Sequence, residues 1–318
     1  MRMRDTRVIR SARFHKLQRR HFVAFDVLPF LGTLVALGLL AYRPVGAVEI
    51  SLFFAMWLIT GLGLTVGYHR LFTHRAFATS LGMSVILLVM GSMAGRGPML
   101  SWVAMHRRHH ELSDHEGDLH SPNLHGTTVL GRLRGWLHAH LTWMIEHDYP
   151  NVAHYVPDLM NQPVLVTANR HYYTWVALGL LAPALIGGLA TQSLMGAATG
   201  FLWGGVVRLF VVEQSMSAVN SLLHMFGARR FATRDDNSRN SGVLALLVWG
   251  EGWHNNHHAF PYSATFGLRW FEFDLGFLFI RLLEALGLAW NVKVPSQEKI
   301  VLRLARRETH EASDLKHG

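Results

Sequence analysis

YYTWVALGLLAPALIGGLATQSLMGAATGFLWGGVV, residues Tyr172 to Val207, runs for 36 positions without one charged side chain. A bilayer core about 30 Å thick takes about 20 helical residues, so this stretch is too long for one span and long enough for two. Gly187 and Gly188, followed by the polar Thr191, Gln192 and Ser193, offer a break. The reading is a hairpin of helices over 172–189 and 194–212, with Arg208 snorkelling near its end. Working outward, Phe22 to Tyr42 is apolar except for Asp26, Ile50 to Gly67 carries no charge, and Arg43, Pro44 and Glu49 mark the turn between them. A first hairpin, 22–42 with 50–67, therefore precedes the second. Half of the chain is hydrophobic and only 16% is charged, which argues against an ordinary soluble domain. The expected fold is an all-α membrane protein with four transmembrane helices in two hairpins.

The charge distribution orients these hairpins. Arg2, Arg4, Arg7, Arg10, Arg13, Lys16, Arg19 and Arg20 precede the first span against the lone acid Asp5, so the positive-inside rule puts residues 1–21, a basic tail, in the cytoplasm. Two hairpins return the chain to that side twice, which makes 68–171 and 213–295 a cytoplasmic helical cap. The basic tail reads as a topology signal with affinity for anionic lipid rather than as a grip on nucleic acid. Leu81 to Ala94 is 14 residues long, in the range of re-entrant or interfacial segments, and is not counted as a span. From Gly267 to Trp290 an apolar stretch interrupted by charges reads as surface helices lying on the bilayer. Residues 22–295 form one unit, and 296–318 is a charged C-terminal tail expected to be partly disordered.

The chain holds 21 histidines and no cysteine. Disulfides, thiolate zinc sites, Cys-ligated iron-sulfur clusters and a Cys nucleophile are excluded, so any metal is held by nitrogen or oxygen. Three groups stand out: His69 and His74 in H-R-L-F-T-H, His106, His109 and His110 in H-R-R-H-H, and His254, His257 and His258 in H-N-N-H-H. Residues at i, i+3 and i+4 share a helix face, so each triplet is expected to converge on a common point. Eight clustered histidines exceed what one tetrahedral zinc ion uses, so they imply a dimetal site or one metal with idle neighbours. Imidazole suits zinc, copper, iron and nickel alike. His115, His120 and His125 lie among Asp114, Glu116 and Asp118, where carboxylates could orient imidazoles. His138, His140, His147, His154 and His171 read as solvated polar residues.

With these boxes in place, the sequence resembles the membrane fatty acyl desaturases, in particular the bacterial acyl-CoA branch similar to stearoyl-CoA desaturase. The resemblance covers roughly Gly61 to Pro295 and rests on G-Y-H-R-L-F-T-H-R (Gly67 to Arg75), H-R-R-H-H with G-D-L-H-S-P (Gly117 to Pro122), G-W-L-H-A-H (Gly135 to His140), N-S-L-L-H (Asn220 to His224) and E-G-W-H-N-N-H-H-A-F-P (Glu251 to Pro261). It implies two iron ions, held by the eight box histidines and His224, with Asn220 contacting metal through water. It implies an integral protein of the bacterial inner membrane, with both termini and the metal site cytoplasmic. The implied reaction uses dioxygen and two electrons to place a cis double bond in a long-chain acyl thioester, an acyl-CoA near the delta-9 position. Methylenes are chemically alike, so a tunnel of fixed depth must choose among them. Trp102, Trp143, Ser217 and Trp253 are its expected walls, with Trp203 and Trp270 as further aromatic candidates. An external donor, a ferredoxin or haem carrier with an NAD(P)H reductase, would supply electrons.

Three positions depart from the pattern of the resemblance: Arg96 stands where Gln is usual, Leu119 where Pro is usual, and Ser217 where a tunnel Trp is common. Glu213 and Gln214 replace a pair that is often His-His. The same centre also serves hydroxylation or acetylenic bond formation, and the acyl chain could be bound to a carrier protein or a lipid. A metal transporter is the competing class, but it would put ionisable ligands within the spans.

Overall fold

The computed structural model describes residues 6–233 and 237–304. Arg2 and Arg4 of the basic tail, and residues 305–318 of the charged C-terminal segment, lie outside the described residues. In chain order, the helices that frame the site are α1 (Ala12–Leu39), α2 (Ala47–Thr73), α3 (Leu81–Ser92), α4 (Met99–Leu112), α5 (Val129–Leu137), α6 (Tyr172–Thr191), α7 (Leu194–Leu222), α8 (His254–Ala259) and α9 (Leu275–Ala285). Helices α1, α2, α6 and α7 are each long and apolar enough to cross a membrane. Their outer faces leave Leu28, Val35, Phe54, Leu181 and Leu185 more than half exposed, as lipid-facing side chains must be. The chain is a membrane protein with four spanning helices and a helical cap.

Local chemistry sets the ends. Gln192, in a left-handed conformation at φ 49°, closes α6, and the Ser193 hydroxyl accepts from the Gly196 amide to open α7. The hairpin packs through small residues: a Cβ on Gly187 would lie 2.4 Å from the Gly196 carbonyl oxygen. Glu49 accepts from the Gly46 amide at 3.1 Å at the start of α2 and from the Thr199 hydroxyl of α7 at 2.7 Å, joining the two hairpins near their outer turns. Helix α3 has 12 residues, about 18 Å of rise, and does not span. It lies against α2, where a Cβ on Gly63 would meet the Gly91 backbone nitrogen at 2.1 Å.

Several expected boundaries move. The basic segment is helical from Ala12, continuous with the first span, because its apolar and basic residues alternate with helical period and let it run on into the headgroup region. Helix α7 continues ten residues beyond 212 into the cap, and α2 runs to Thr73, its last eleven residues in wide π-type turns. Between 267 and 290 there is one helix, α9, followed by the strand Ala289–Trp290, which pairs antiparallel with Ala78–Thr79. Residues 297–304 are helical and bury Ile300 against Phe231 and Phe260, so this part of the tail is ordered.

The arginines of the histidine boxes hold the cap to the spans. Arg70, fully buried, forms a two-pronged pair with Asp274 at 2.9 and 3.0 Å and also donates to Thr65. Arg107 donates to Asp158 at 2.7 and 3.0 Å and to the carbonyls of Phe72 and Tyr155, fastening the end of α2 to α4. Removing one partner of a buried pair leaves the other charge uncompensated, so Arg70→Met should destabilise the protein by about 3–5 kcal/mol. Thermal unfolding in detergent checks this, and an unchanged transition would refute the assignment.

Candidate metal centre

The histidines arrive from four places. The wide last turns of α2 carry His69 and the following turn His74; α4 carries His106, His109 and His110; His224 follows α7; and α8 carries His254, His257 and His258. They gather into two groups whose ligand atoms lie within 4.8 Å of one another: His69, His74, His106, His110 and His257 in one, His109, His224, His254 and His258 in the other. Each group could hold a metal ion. The expectation that each triplet meets at one point is therefore corrected. His106 and His110 serve the first group while His109 turns to the second, and His254 and His258 serve the second while His257 turns to the first. At 100° per residue, i and i+4 stand about 40° apart and i+3 lies about 60° to the other side, so one helix face supplies two neighbouring points.

The hydrogen bonds behind the rings decide where their lone pairs face. His69 Nδ1 lies 2.6 Å from Glu251, His109 Nδ1 lies 3.0 Å from Asp118, and His224 Nδ1 lies 2.9 Å from Asp114. A carboxylate only accepts, so the ring proton sits on Nδ1 and Nε2 presents a bare lone pair. Those Nε2 atoms face other Nε2 atoms: His69 to His257 at 3.0 Å, His257 to His110 at 3.0 Å, His110 to His106 at 3.0 Å and His224 to His254 at 2.9 Å. Nε2 of His74 and of His109 is buried with no hydrogen-bond partner among the described residues. Lone pairs packed so closely repel unless a cation stands between them. Donors spaced in this way fit imidazoles gathered around shared metal ions.

Burial, reinforced by neighbouring rings, holds the imidazoles of His74, His106, His110, His254 and His257 well below their ordinary range, so they stay neutral and keep a lone pair at pH 7. Burial alone would raise the three carboxyls. The rings they face, with further hydrogen bonds, instead hold Glu251, Asp118 and Asp114 below the usual carboxylate range.

Carboxylates placed after the second box do orient imidazoles, but they act on His109 and His224. His115 bonds the Ser113 carbonyl, and His125 packs on His138. Among the histidines expected to be solvated, His140 bonds Ser221 and Gln214, and His147 bonds Gln18. Glu251 lay in a quoted motif without a role, and its position three residues before His254 carries no sequence signal for facing His69.

A cavity reaches both groups. His69, His106, His109, His254 and Asn220 line it, with Trp102, Met105, Trp143 and Met216 as its apolar walls. His120, buried beside the His109 ring, lines it too. Two expected walls do not. Ser217 is fully buried on α7, its hydroxyl directed to Glu213, and Trp253 packs against Ala245 and Phe266 while donating to the Phe273 carbonyl. Trp203 and Trp270 also lie off the cavity, Trp270 being 96% exposed. Arg96 and Glu213, singled out separately as departures, line the cavity together as an ion pair.

The family model for fatty acid desaturase matches residues 44–281. A hex-5-enoyl-[acyl-carrier protein] acetylenase of Moorena producens (strain JHB) is 48% identical over 89% of this chain and 89% of its own length. An sn-1 stearoyl-lipid 9-desaturase of Anabaena variabilis is 37% identical over 76% of this chain and 83% of its own. An icosanoyl-CoA 5-desaturase of Limnanthes douglasii is 35% identical over 74% and 62%. These three names specify three different carriers and more than one product, whereas the matched region includes the boxes at His69, His106 and His254. On this match and on the four-span fold beneath its two groups of buried imidazoles, the chain belongs to the fatty acid desaturase family.

Proposed function

We propose that this chain oxidises an acyl chain held as a thioester on an acyl-carrier protein, forming an olefinic or acetylenic bond between adjacent carbons. The observation that carries the reading is one cavity that meets both imidazole groups between apolar walls. The acetylenase at 48% identity favours the carrier protein over other acyl carriers. In balance, a –CH2–CH2– unit, O2, two electrons and two protons become –CH=CH– and two waters, and conversion of the alkene to an alkyne repeats the sum.

In this reading His69, His74, His106, His110 and His257 hold one iron ion. His109, His224, His254 and His258 hold the other, with Asn220 contacting metal through a water. Two bound iron ions supply the oxidising power toward C–H bonds that side chains lack. The chain does the rest. Glu251, Asp118 and Asp114 keep the ring protons on Nδ1 and so aim Nε2 inward. Trp102 and Trp143 fix the lateral position of the acyl chain and exclude water from the reacting carbons. Electrons come from a separate ferredoxin or haem carrier with an NAD(P)H reductase, whose acidic face suits a chain of net charge +9. The basic N-terminal segment keeps both termini and the metal groups on the cytoplasmic side of a bacterial inner membrane, and residues 22–295 act as one catalytic unit.

A second reading, a long-chain acyl-CoA desaturated near the delta-9 position, draws its carrier from the acyl-CoA relative and its position from the 9-desaturase. Full-length protein supplied with ferredoxin, reductase and NADPH, and offered the same acyl group on carrier protein, CoA and lipid, separates the two. Mass spectrometry with double-bond location should find new unsaturation with the carrier-protein thioester foremost, and conversion of the CoA ester alone would reverse the choice. His257→Ala should abolish conversion, and so should His254→Ala; in metal analysis each should lower iron from about two per chain toward one. Asp118→Asn should weaken iron binding or activity about 10–100-fold while leaving the fold intact. Full iron and full activity in that variant would remove Asp118 from its orienting role.

A further inference from the structure

Resting on the reading just given, we infer that Arg96 and Glu213 form a charged floor that ends the acyl cavity, so the enzyme takes chains with only a short arm beyond the reacting carbons. Arg96 stands in the turn between α3 and α4, and Glu213 on α7. Arg96 Nη1 donates to Glu213 Oε1 at 2.5 Å and to its backbone carbonyl at 3.1 Å. Both side chains are 6% exposed, and both line the cavity that the imidazoles meet. Ser217 Oγ steadies Glu213 Oε1 at 3.3 Å, and Asp26 of α1 lines the cavity beside them. A turn and two helices thus bring a buried ion pair and a further carboxyl group to one part of the cavity lining.

The depth follows from α7. Asn220, which lines the cavity together with the histidines, stands seven positions after Glu213 on α7. At 1.5 Å per residue the two lie about 10 Å apart along the helix, which on this view is the depth of the floor. Van der Waals contact takes about 3.5–4 Å of it. An extended chain of carbon–carbon bonds near 1.5 Å advances roughly 1.25 Å per atom, so about five carbons fit beyond the reacting pair. An eighteen-carbon chain oxidised at carbons 9 and 10 would need room for eight. A longer arm must part the ion pair or press methylenes against it, and neither is compensated in a dry cavity. Phe14, Leu17, Met144 and Tyr149, from α1 and the cap, also line the cavity, and on this view the thioester enters past them. The departures at 96, 213 and 217 are on this view one device, while those at 119 and 214 lie outside it.

The test uses the iron-loaded full chain in lipid nanodiscs, with ferredoxin and reductase, and saturated acyl groups of six to eighteen carbons on acyl-carrier protein. Wild type should favour short-armed chains over long-armed ones by at least roughly tenfold in kcat/KM. Arg96→Ala with Glu213→Ala should raise the long-to-short ratio by a similar factor and move the product distribution to longer chains. If that pair does not fold, Arg96→Met with Glu213→Leu serves instead, because apolar residues of similar volume replace a buried ion pair without leaving a lone charge, and methionine yields to a ligand. Equal conversion at all lengths by wild type, or a wild-type length profile in either folded double variant, overturns the floor alone. No conversion at any length overturns the parent reading and the floor with it.

Discussion

Nine imidazoles gathered into two groups, six of them with an Nε2 about 3 Å from a neighbouring Nε2, are the arrangement on which the rest of this molecule depends. Without a cation such a packing repels, and without orientation the rings would turn away. The three carboxylates that face His69, His109 and His224 supply the orientation. Much of the surrounding fold can be understood as what is needed to bring four separate chain segments, from residue 69 to residue 258, within reach of two points.

The spans meet that need by overrunning the membrane. Helix α2 carries His69 in its wide last turns, and α7 runs on to Leu222 so that His224 reaches the same place. The arginines between the box histidines then act as fasteners. Arg70 reaches Asp274 at the start of α9, and Arg107 binds Asp158 and the carbonyls at the end of α2. Each box therefore alternates residues that face the metal groups with residues that anchor them, and the spacing of the motif serves both tasks.

The cavity reverses this chemistry. Trp102, Met105, Trp143, Met216 and Val219 give it apolar walls, and because methylenes are chemically alike, shape must choose among them. At the far end the Arg96–Glu213 pair interrupts that apolar lining. The names of the desaturase relatives differ in carrier, product and chain length.

The spans, the two hairpins and the clustering of histidines at their ends were legible in the sequence, because hydropathy over about 20 residues and i, i+3, i+4 spacing are local properties read along one helix. His69, His74 and the two triplets were visible as a group for that reason, while His224 and Asn220 emerged only through resemblance. What tertiary structure alone decided was partnership across the chain. Nothing local says that His109 leaves its own triplet for the group of His254 and His258, that Glu251 faces a ring 182 positions away, or that Arg96 meets Glu213 across 117 residues. Those pairings depend on how α2, α4, α7 and α8 cross, and the crossing is set by close approaches such as Gly63 on Gly91 and by buried ion pairs whose two halves lie far apart in the chain.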